Sequence, residues 1–363
     1  MYNRPTYLEI NLNALKHNFD YLKNVSQKEI FAVVKANAYG HGMIGISKYL
    51  DQLQCAYICV SSLDEAMRLR NKGIVSPILI LGYTKLTQHV LNIVSKNKIT
   101  LTVISLEWFQ ELTRFNLNTS PITLHIEVDT GMNRLGFKNI SEIKQIIIDS
   151  ANQNITLEGI YTHFHSSDKQ DGSMTLQFNT FKDIVNELDF SFKWIHTANS
   201  DAIFNLKDDI SNAIRPGLAL YGYSSVKSEL IPIMHFFSQI TQKKLLKKNE
   251  TVSYGATYTA SEDMMIGIVP VGYADGLPIG LSNNFEVTIE NVSCPIIGKI
   301  CMDQLMIKIP QDCTSDLVTI SGMISNFETM AKLTNTITYE VLTCLNIRIH
   351  RIFRLDNEVI IEE

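Results

Sequence analysis

A lysine at the end of an apolar segment is the first residue whose position could serve chemistry. Lys35 directly follows the run IFAVV at 30–34, which is typical of a strand buried on both faces. Burial of the amine at this position would lower its pKa and make it available as a nucleophile. A lysine at a strand end can equally extend its ammonium group into solvent, and its position alone leaves both interpretations open.

Other polar residues stand beside further apolar segments. Hydroxyl and backbone N–H groups near Tyr39, Asn199-Ser200 and Gly217-Leu218 suit a phosphate. The guanidinium groups of Arg134 and Arg215 suit a carboxylate or a second anion. A reactive lysine, a phosphate site and a carboxylate clamp together indicate a pyridoxal phosphate enzyme that acts on an amino acid, although the combination is not unique to that chemistry.

The elements that must position these residues repeat along the chain. A first helix is predicted after Asn11, because apolar residues from Leu12 to Leu22 recur every three or four positions. Eight strand–helix units predict a closed (β/α)8 barrel, in which functional groups gather at the C-terminal ends of the strands. A doubly wound open sheet is the alternative, although no glycine-rich dinucleotide fingerprint follows the first strand. The eight strand segments lie at 30–34, 55–60, 77–81, 99–104, 122–128, 157–163, 193–198 and 218–222.

The pattern changes near Ile240. Short alternating segments broken by Gly, Pro and Asn follow, namely EVTIENV, CPIIGKI, QLMIKIP and DLVTISG. They predict a barrel domain over 1–239 and an all-β domain over 240–363. The basic stretch at 242–250 is interpreted as a solvated connection or edge, with nucleic-acid contact as the less favoured alternative.

Composition excludes several classes of protein. The 363 residues are 45% hydrophobic and 19% charged with a formal charge of −5, which excludes a disordered or collagen-like chain and argues against nucleic-acid binding. The six cysteines form no CxxC pair, and no apolar run is long enough to cross a bilayer. The N-terminus carries no signal-peptide pattern, so we expect a reduced, cytoplasmic protein without membrane attachment. His163 and His165 alone are too few ligands for a metal, so no metal site is predicted.

The string AVVKANAYGHG at 32–42 closely resembles the cofactor-lysine motif of alanine racemases. The resemblance extends in order over nearly the whole chain, and as an ordered series it is highly specific. It implies a pyridoxal phosphate-binding (β/α)8 barrel followed by a β domain. The further motifs are DTGMNRLGF at 129–137, THF at 162–164, HTANS at 196–200, RPGLALYG at 215–222, VSYGATYTA at 252–260, GYADG at 272–276, CMDQ at 301–304 and TYEV at 338–341.

The resemblance implies two catalytic bases. Lys35 would hold the cofactor and act as one base, and Tyr254 would be the other, delivered from the partner subunit of a head-to-tail homodimer with shared active sites. Arg215 resembles the arginine that faces the pyridine nitrogen of the cofactor, and His163 is expected to link Arg215 to the base network. Outside this context, His163 would equally suit a hydrogen-bonded core position.

The remaining implied roles concern the cofactor phosphate and the substrate. Arg134 matches the residue that contacts the phenolic oxygen of the cofactor and the substrate carboxylate, assisted by the backbone N–H of Met302. Tyr273 resembles a residue at the entrance of the substrate pocket, and Asp303 has a supporting role. The phosphate-binding set would comprise Tyr39, Ser200, Gly217, Leu218 and Tyr339, with Asn199 beside them.

The sequence departs from the family at three positions. Many members carry a carbamylated lysine where this chain has Glu127, and we expect Glu127 to supply a permanent carboxylate toward Arg134 without a need for carbon dioxide. A local salt bridge elsewhere is the alternative role for this glutamate. Ile279 replaces a frequent arginine, and Asn133 stands where glycine is frequent.

Together these observations predict an alanine racemase that supplies D-alanine for peptidoglycan. A racemase of broader range that acts on serine or other amino acids is the first alternative, and Tyr273 and Tyr339, which by the resemblance keep the side-chain space of the pocket small, favour alanine. An amino-acid decarboxylase would not explain the second base in VSYGATYTA. A non-catalytic pyridoxal phosphate carrier would not explain the domain beyond the barrel.

Overall fold

The structure, a computed structural model, describes residues 4–118, 121–151, 153–226, 228–322 and 326–362. It comprises two compact units. The barrel unit contains Ala14–Ala38 and Ile46–Pro232, and the second unit contains Met1–Asn13, Tyr39–Gly45 and Ile233–Glu363.

Eight parallel strands close the barrel, with the last strand pairing with the first. This confirms the predicted barrel and excludes the open sheet. The apolar residues of the strands are almost completely buried, as expected where both faces of a parallel strand are covered. With strands numbered along the chain, β1 (Tyr7–Asn11) belongs to the second unit, and the barrel strands are β2 (Glu29–Val33), β3 (Tyr57–Val60), β4 (Ile78–Ile80), β5 (Ile99–Val103), β6 (Ile122–Val128), β7 (Ile155–Thr162), β8 (Trp194–His196) and β9 (Ala213–Ile214).

One helix precedes the first barrel strand, and helices occupy the chain between successive barrel strands. The helix predicted after Asn11 is confirmed, and its apolar positions from Leu12 to Leu22 are buried. Hydroxyl side chains cap three of the helices, such as Ser105, whose oxygen accepts from the N–H of Trp108. The helices are Leu12–Ser26, Met43–Gln52, Leu63–Asn71, Gln88–Lys96, Leu106–Leu112, Ile140–Ser150, Ser173–Glu187 and Ala202–Asn205.

The eighth strand is not where the sequence places it. The predicted segment 218–222 contains a 3-10 helix at Leu218–Tyr221, and the strand is the two-residue β9 before it. Leu218–Tyr221 is fully apolar and buried like a strand, so its apolar character does not distinguish the two structures. The correction matters for the site, because Arg215 follows the last strand and therefore lies at its carboxyl end.

The second unit is rich in sheet, as predicted, but it is not all-β, because helices span Phe327–Leu333 and Thr338–Cys344. Its largest sheet has seven strands in the order β16-β15-β18-β10-β1-β19-β20, beside a three-stranded sheet, β11-β14-β17, and the hairpin β12-β13. The strands are β10 (Met234–Gln239), β11 (Gln242–Leu246), β12 (Thr251–Val252), β13 (Tyr258–Thr259), β14 (Met264–Val269), β15 (Glu286–Ile289), β16 (Val292–Pro295), β17 (Leu305–Ile309), β18 (Leu317–Ser321), β19 (His350–Leu355) and β20 (Glu358–Glu362).

The boundary between the two units differs from the predicted one between residues 239 and 240. The second unit begins at Ile233 and also includes the N-terminal strand β1, which pairs antiparallel with β10 and parallel with β19. Leu8 and Ile10 of β1 are completely buried. A five-residue strand so far from its partners in sequence leaves no local signal of the sheet that it joins.

In the described ranges, no helix combines the length and the apolar character that a membrane span requires.

Candidate active site

Lys35 lies just beyond β2, at the carboxyl end of the barrel strands, and is half-buried. Burial lowers the pKa of its amine, and the positive charge of Arg134 lowers it further. The nearby Glu65 and Cys59 oppose this shift but do not cancel it. The environment therefore favours the interpretation in which the amine is withdrawn from water and available as a nucleophile.

The backbone after Lys35 forms a left-handed turn. Ala36, Asn37 and Ala38 have φ of 51°, 54° and 52°, a region that costs a non-glycine residue about 1–2 kcal/mol each. Glu65 helps to hold this turn, because its Oε1 accepts from the N–H of Ala36 at 2.7 Å. Strain of this kind is characteristic of functional sites, and here it sets the direction of the chain directly after the lysine. Nothing in the sequence signals the turn, since alanine ordinarily favours right-handed helix.

Arg215 is 3% exposed and is held by four hydrogen bonds at the carboxyl end of β9. Nη1 donates to Nδ1 of His196 at 2.8 Å and to the His196 carbonyl at 2.7 Å. Nη2 donates to the carbonyl oxygens of Thr162 at 2.5 Å and Thr197 at 3.1 Å. A guanidinium has five N–H donors, so within the described part of the chain the Nε–H is the one that these bonds leave for a ligand.

The imidazole that hydrogen-bonds Arg215 is His196, whereas the expected link of His163 between Arg215 and the base network stays a prediction. His163 makes no hydrogen bond to Arg215 within the described residues, although the two lie close enough to interact electrostatically. Burial lowers the pKa of His163 to about 3, and the charges of Arg215, Arg134 and Lys35 add to this effect. His163 is therefore neutral in this cationic environment. His196 could have been considered from the sequence, because it opens the motif HTANS, from which only Asn199-Ser200 entered the prediction.

Three of the residues predicted to bind phosphate come together beside the 3-10 helix. The hydroxyl oxygen of Ser200 accepts from the N–H of Gly217 at 3.1 Å and from that of Ala219 at 3.0 Å, which places Leu218 between two bonded residues. Asn199 is engaged differently, because its oxygen accepts from the N–H of Ala202 at 3.3 Å. It supports the local fold beside the hydroxyl and N–H cluster.

Glu127 on β6 points its carboxylate toward Arg134. Oε1 of Glu127 lies 4.0 Å from Nη2 of Arg134, and Oε2 accepts from the hydroxyl of Tyr161 at 3.1 Å. Glu127 is 3% exposed, whereas half of the Arg134 side chain is exposed. Burial raises the pKa of Glu127 to about 7, although the charge of Arg134 and the Tyr161 hydrogen bond oppose the rise. Among the residues that the structure describes, Glu127 makes no other salt bridge, and its charged partner is Arg134.

Asn133 accommodates a conformation that glycine would otherwise provide. Its φ is 55°, in the left-handed region that asparagine tolerates better than most residues. Its N–H donates to Oδ1 of Asp129 at 2.9 Å, which fixes the turn that leads to Arg134. The departure from the family at this position therefore leaves the local backbone geometry possible.

In the second unit, Tyr254 and Met302 are both more than half exposed and line one cavity of about 950 Å³, together with Asp303. Tyr254 lies in a constrained turn, because Ser253 and Ala256 both have positive φ. This cavity brings together the predicted second base and the predicted substrate N–H within one unit.

The loops that carry Tyr273 and Met302 are joined directly. The N–H of Tyr273 donates to the Cys301 carbonyl at 3.1 Å, and the N–H of Ala274 donates to the Met302 carbonyl at 3.0 Å. Gly272 permits this approach, since a Cβ there would lie 2.2 Å from the Met302 carbonyl oxygen. The structure therefore holds Tyr273 and Met302 at a fixed separation.

Charged residues support the same pair of loops. Arg348 donates to the buried carboxylate of Asp275 at 2.7 Å and to the exposed carboxylate of Asp303 at 2.8 Å, and so bridges the two.

Ile279, which replaces the frequent arginine, is 42% exposed. Tyr39 and Tyr339, also in the second unit, have ring centroids 5.8 Å apart. Their predicted contact with a phosphate stays a prediction.

The chain matches two family domains in succession, namely "Alanine racemase, N-terminal domain" over residues 10–225 and "Alanine racemase, C-terminal domain" over residues 233–353. An alanine racemase of Staphylococcus saprophyticus is 37% identical over 99% of this chain and 97% of its own. A crystal structure of alanine racemase from Bacillus anthracis with bound L-Ala-P superposes with a TM-score of 0.92 at 33% identity, covering 100% of this chain and 98% of that one. A crystal structure of alanine racemase from Bartonella henselae with covalently bound pyridoxal phosphate superposes with a TM-score of 0.86 at 26% identity, covering 96% of this chain and 99% of that one.

The closed barrel, the sheet-rich unit and the two matched domains place the chain in the class of racemases built on a (β/α)8 barrel. Within that class the relatives and structural neighbours agree on one family. The chain belongs to the alanine racemase family.

Proposed function

We propose that this protein interconverts L-alanine and D-alanine with pyridoxal phosphate bound at Lys35. The observation that carries the proposal is the half-buried Lys35 amine of lowered pKa, which shares one environment with Arg134 and Arg215. The relatives with bound L-Ala-P and with covalent pyridoxal phosphate support the same substrate and cofactor. By the family resemblance, the product would supply peptidoglycan synthesis in the bacterial cytoplasm.

The residues of the barrel unit fit the cofactor. A nucleophilic amine suits the aldehyde, the Nε–H of Arg215 suits the ring nitrogen, and the hydroxyl proton of Ser200, whose oxygen already accepts from two N–H groups, suits the phosphate. When bound, pyridoxal phosphate supplies an electron sink that stabilises negative charge on the α-carbon of an amino acid. Because an arginine stays protonated and only donates, Arg215 would leave the ring nitrogen without its own proton, which limits competing transamination.

Two bases on opposite faces of the α-carbon would complete racemisation. Lys35 accepts or returns the α-proton on one face, and Tyr254 of the partner subunit does so on the other. The exposure of the Tyr254 side chain, 71%, supports a role toward a second copy of the chain, which requires a homodimer. A phenol has a reference pKa near 10, so this base needs a positive charge beside it to work at neutral pH.

Arg134 would bind the substrate carboxylate, oriented by the fixed carboxylate of Glu127. The 4.0 Å separation between these two side chains supports this assignment. Because Glu127 needs no carbamylation, we expect the KM for alanine to change less than about twofold between bicarbonate-free buffer and added bicarbonate. A strong rise in activity with bicarbonate would contradict the role of Glu127. Glu127→Gln should raise the KM about fivefold, the scale of a half-exposed ion pair.

The test is loss of the α-proton signal of L-alanine in deuterated water, followed by chiral analysis of the product. We expect exchange together with appearance of D-alanine, and loss of both in Lys35→Ala. Tyr254→Phe should still exchange the one enantiomer whose α-proton faces Lys35, but it should not racemise. Glu187→Gln, a surface change in the barrel unit, is the control and should retain full activity. If the cofactor-loaded protein left the α-proton of alanine in place, the proposed function would be wrong.

A further inference from the structure

A line of polar side chains extends from Arg215 to the surface of the barrel unit and is not part of any predicted site. Nδ1 of His196 lies 2.8 Å from Arg215, and Nε2 of His196 lies 2.8 Å from Nδ1 of His125. Nε2 of His125 is buried and has no hydrogen-bond partner within the described residues, and the acceptor it faces is the carboxylate of Glu158 at 3.5 Å. Glu158 in turn pairs with Lys193 at 2.7 Å.

The chemistry at the two ends fixes the protons between them. Arg215 can only donate, so Nδ1 of His196 must accept and the His196 proton resides on Nε2. That N–H then donates to Nδ1 of His125, so the proton of His125 also resides on Nε2. It faces Glu158, and an ionised carboxylate can only accept. Only this direction of donation, from Arg215 toward Glu158, is compatible with the donors and acceptors at both ends.

The charge states agree with this assignment. Burial lowers the pKa of both His125 and His196, each of which is completely buried, so both are neutral. Burial alone would raise the pKa of Glu158, but its contacts with His125, Lys193 and Tyr57 outweigh this and lower it to about 2. Glu158 also lines a cavity of about 680 Å³ with Tyr57, which gives its charge contact with solvent.

We propose that His125 and Glu158 are positioning residues that act on Arg215 through His196. The acceptor at Glu158 fixes the tautomer of His125, and the tautomer of His125 fixes that of His196. His196 in turn holds the guanidinium of Arg215 so that its Nε–H is directed away from these bonds. The effect on the cofactor rests on the proposed function, in which Arg215 faces the cofactor. The assignment of the two histidine tautomers does not depend on that role.

The direct test is ¹⁵N NMR of the protein labelled at histidine, with pyridoxal phosphate added. Long-range ¹H–¹⁵N correlations separate the two imidazole tautomers, and His125→Gln and His196→Gln assign the two signals among the nine histidines. We expect the Nε2–H tautomer at both positions. The Nδ1–H tautomer at either would overturn the proposal, and this outcome does not depend on racemase activity or on cofactor binding.

Matched variants test the acceptor itself. Glu158→Gln retains an oxygen acceptor and should bind pyridoxal phosphate to the apoprotein within about threefold of the unsubstituted chain, whereas Glu158→Leu should bind it at least about tenfold more weakly. Glu187→Gln, the same change at a surface ion pair, should have no effect. Equal effects of glutamine and leucine, or no effect of leucine, would contradict the proposal. If Glu158→Leu does not fold, the histidine tautomers measured by NMR in the unsubstituted chain and in Glu158→Gln test the proposal in its place. Failure of cofactor binding in the unsubstituted chain would contradict the proposed function instead.

Discussion

Replacing Glu127 by glutamine should stabilise the protein above neutral pH, although it removes a residue that the proposed function uses. Glutamine keeps an oxygen to accept from Tyr161 and nearly the same volume, so the change removes a charge with little change in packing. The raised pKa of Glu127 means that the folded state disfavours the ionised carboxylate. Below the unfolded pKa of 4.5, the group is neutral in both states and has no such cost.

The magnitude follows from the shift. Glu127 moves from 4.5 to about 7 on folding, and each unit is about 1.4 kcal/mol. The cost of the charge therefore grows between about pH 4.5 and 7 and is then constant near 3 kcal/mol. At pH 5 it is about 1 kcal/mol. Glu127→Gln should accordingly gain about 3 kcal/mol of unfolding free energy at pH 8 and about 1 kcal/mol at pH 5.

The assay is denaturant unfolding of both chains at one protein concentration, at pH 5 and pH 8, with the difference between chains compared at each pH. Glu187→Gln, at an exposed ion pair with Lys144, should change stability by less than about 0.5 kcal/mol at either pH. A gain in Glu127→Gln that does not depend on pH, or a loss at pH 8, would refute the reasoning that an ionised carboxylate is buried at a cost.

Three further substitutions test particular contacts. Gly272→Ala should lower stability by more than about 2 kcal/mol and raise the KM for alanine, because its Cβ would meet the Met302 carbonyl at 2.2 Å; unfolding and steady-state kinetics measure the two effects. Asp275→Asn should cost about 2 kcal/mol at pH 7 in denaturant unfolding, since two arginines and a backbone N–H lower the pKa of this buried carboxyl against the effect of burial; the difference should begin to shrink as the pH falls below about 4 and vanish only below the lowered folded-state pKa. Ser200→Ala should weaken pyridoxal phosphate binding at least about fivefold in apoprotein titrations, because the hydroxyl next to the N–H of Gly217 is lost; unchanged affinity would contradict its place in the phosphate site.

The barrel was predictable because seven of its eight strands are apolar runs separated by helix-length segments. The eighth, Ala213–Ile214, is too short to leave a pattern, and the buried apolar run after it is a 3-10 helix. The strand Tyr7–Asn11 was also missed, because its partners Met234–Gln239 and His350–Leu355 lie more than two hundred residues away. Pairing over such separations depends on the whole fold rather than on local pattern.

The candidate site was predictable where a residue type carries its chemistry, as at Lys35, Arg134 and Arg215. The residues around them were less accessible. His196 was not singled out, because a motif shows that an imidazole is present but not which one reaches the guanidinium. The left-handed turn at Ala36–Ala38 has no sequence signal, since it is held by a distant carboxylate, that of Glu65.

The central claim is that the Lys35 amine is the group that holds the cofactor. Borohydride reduction of the protein loaded with pyridoxal phosphate, followed by peptide mass spectrometry, tests it most directly. The account predicts one cofactor-derived adduct, on the peptide that contains Lys35, and none in Lys35→Ala. An adduct on another lysine, or an unmodified Lys35 in protein that has bound the cofactor, would contradict it.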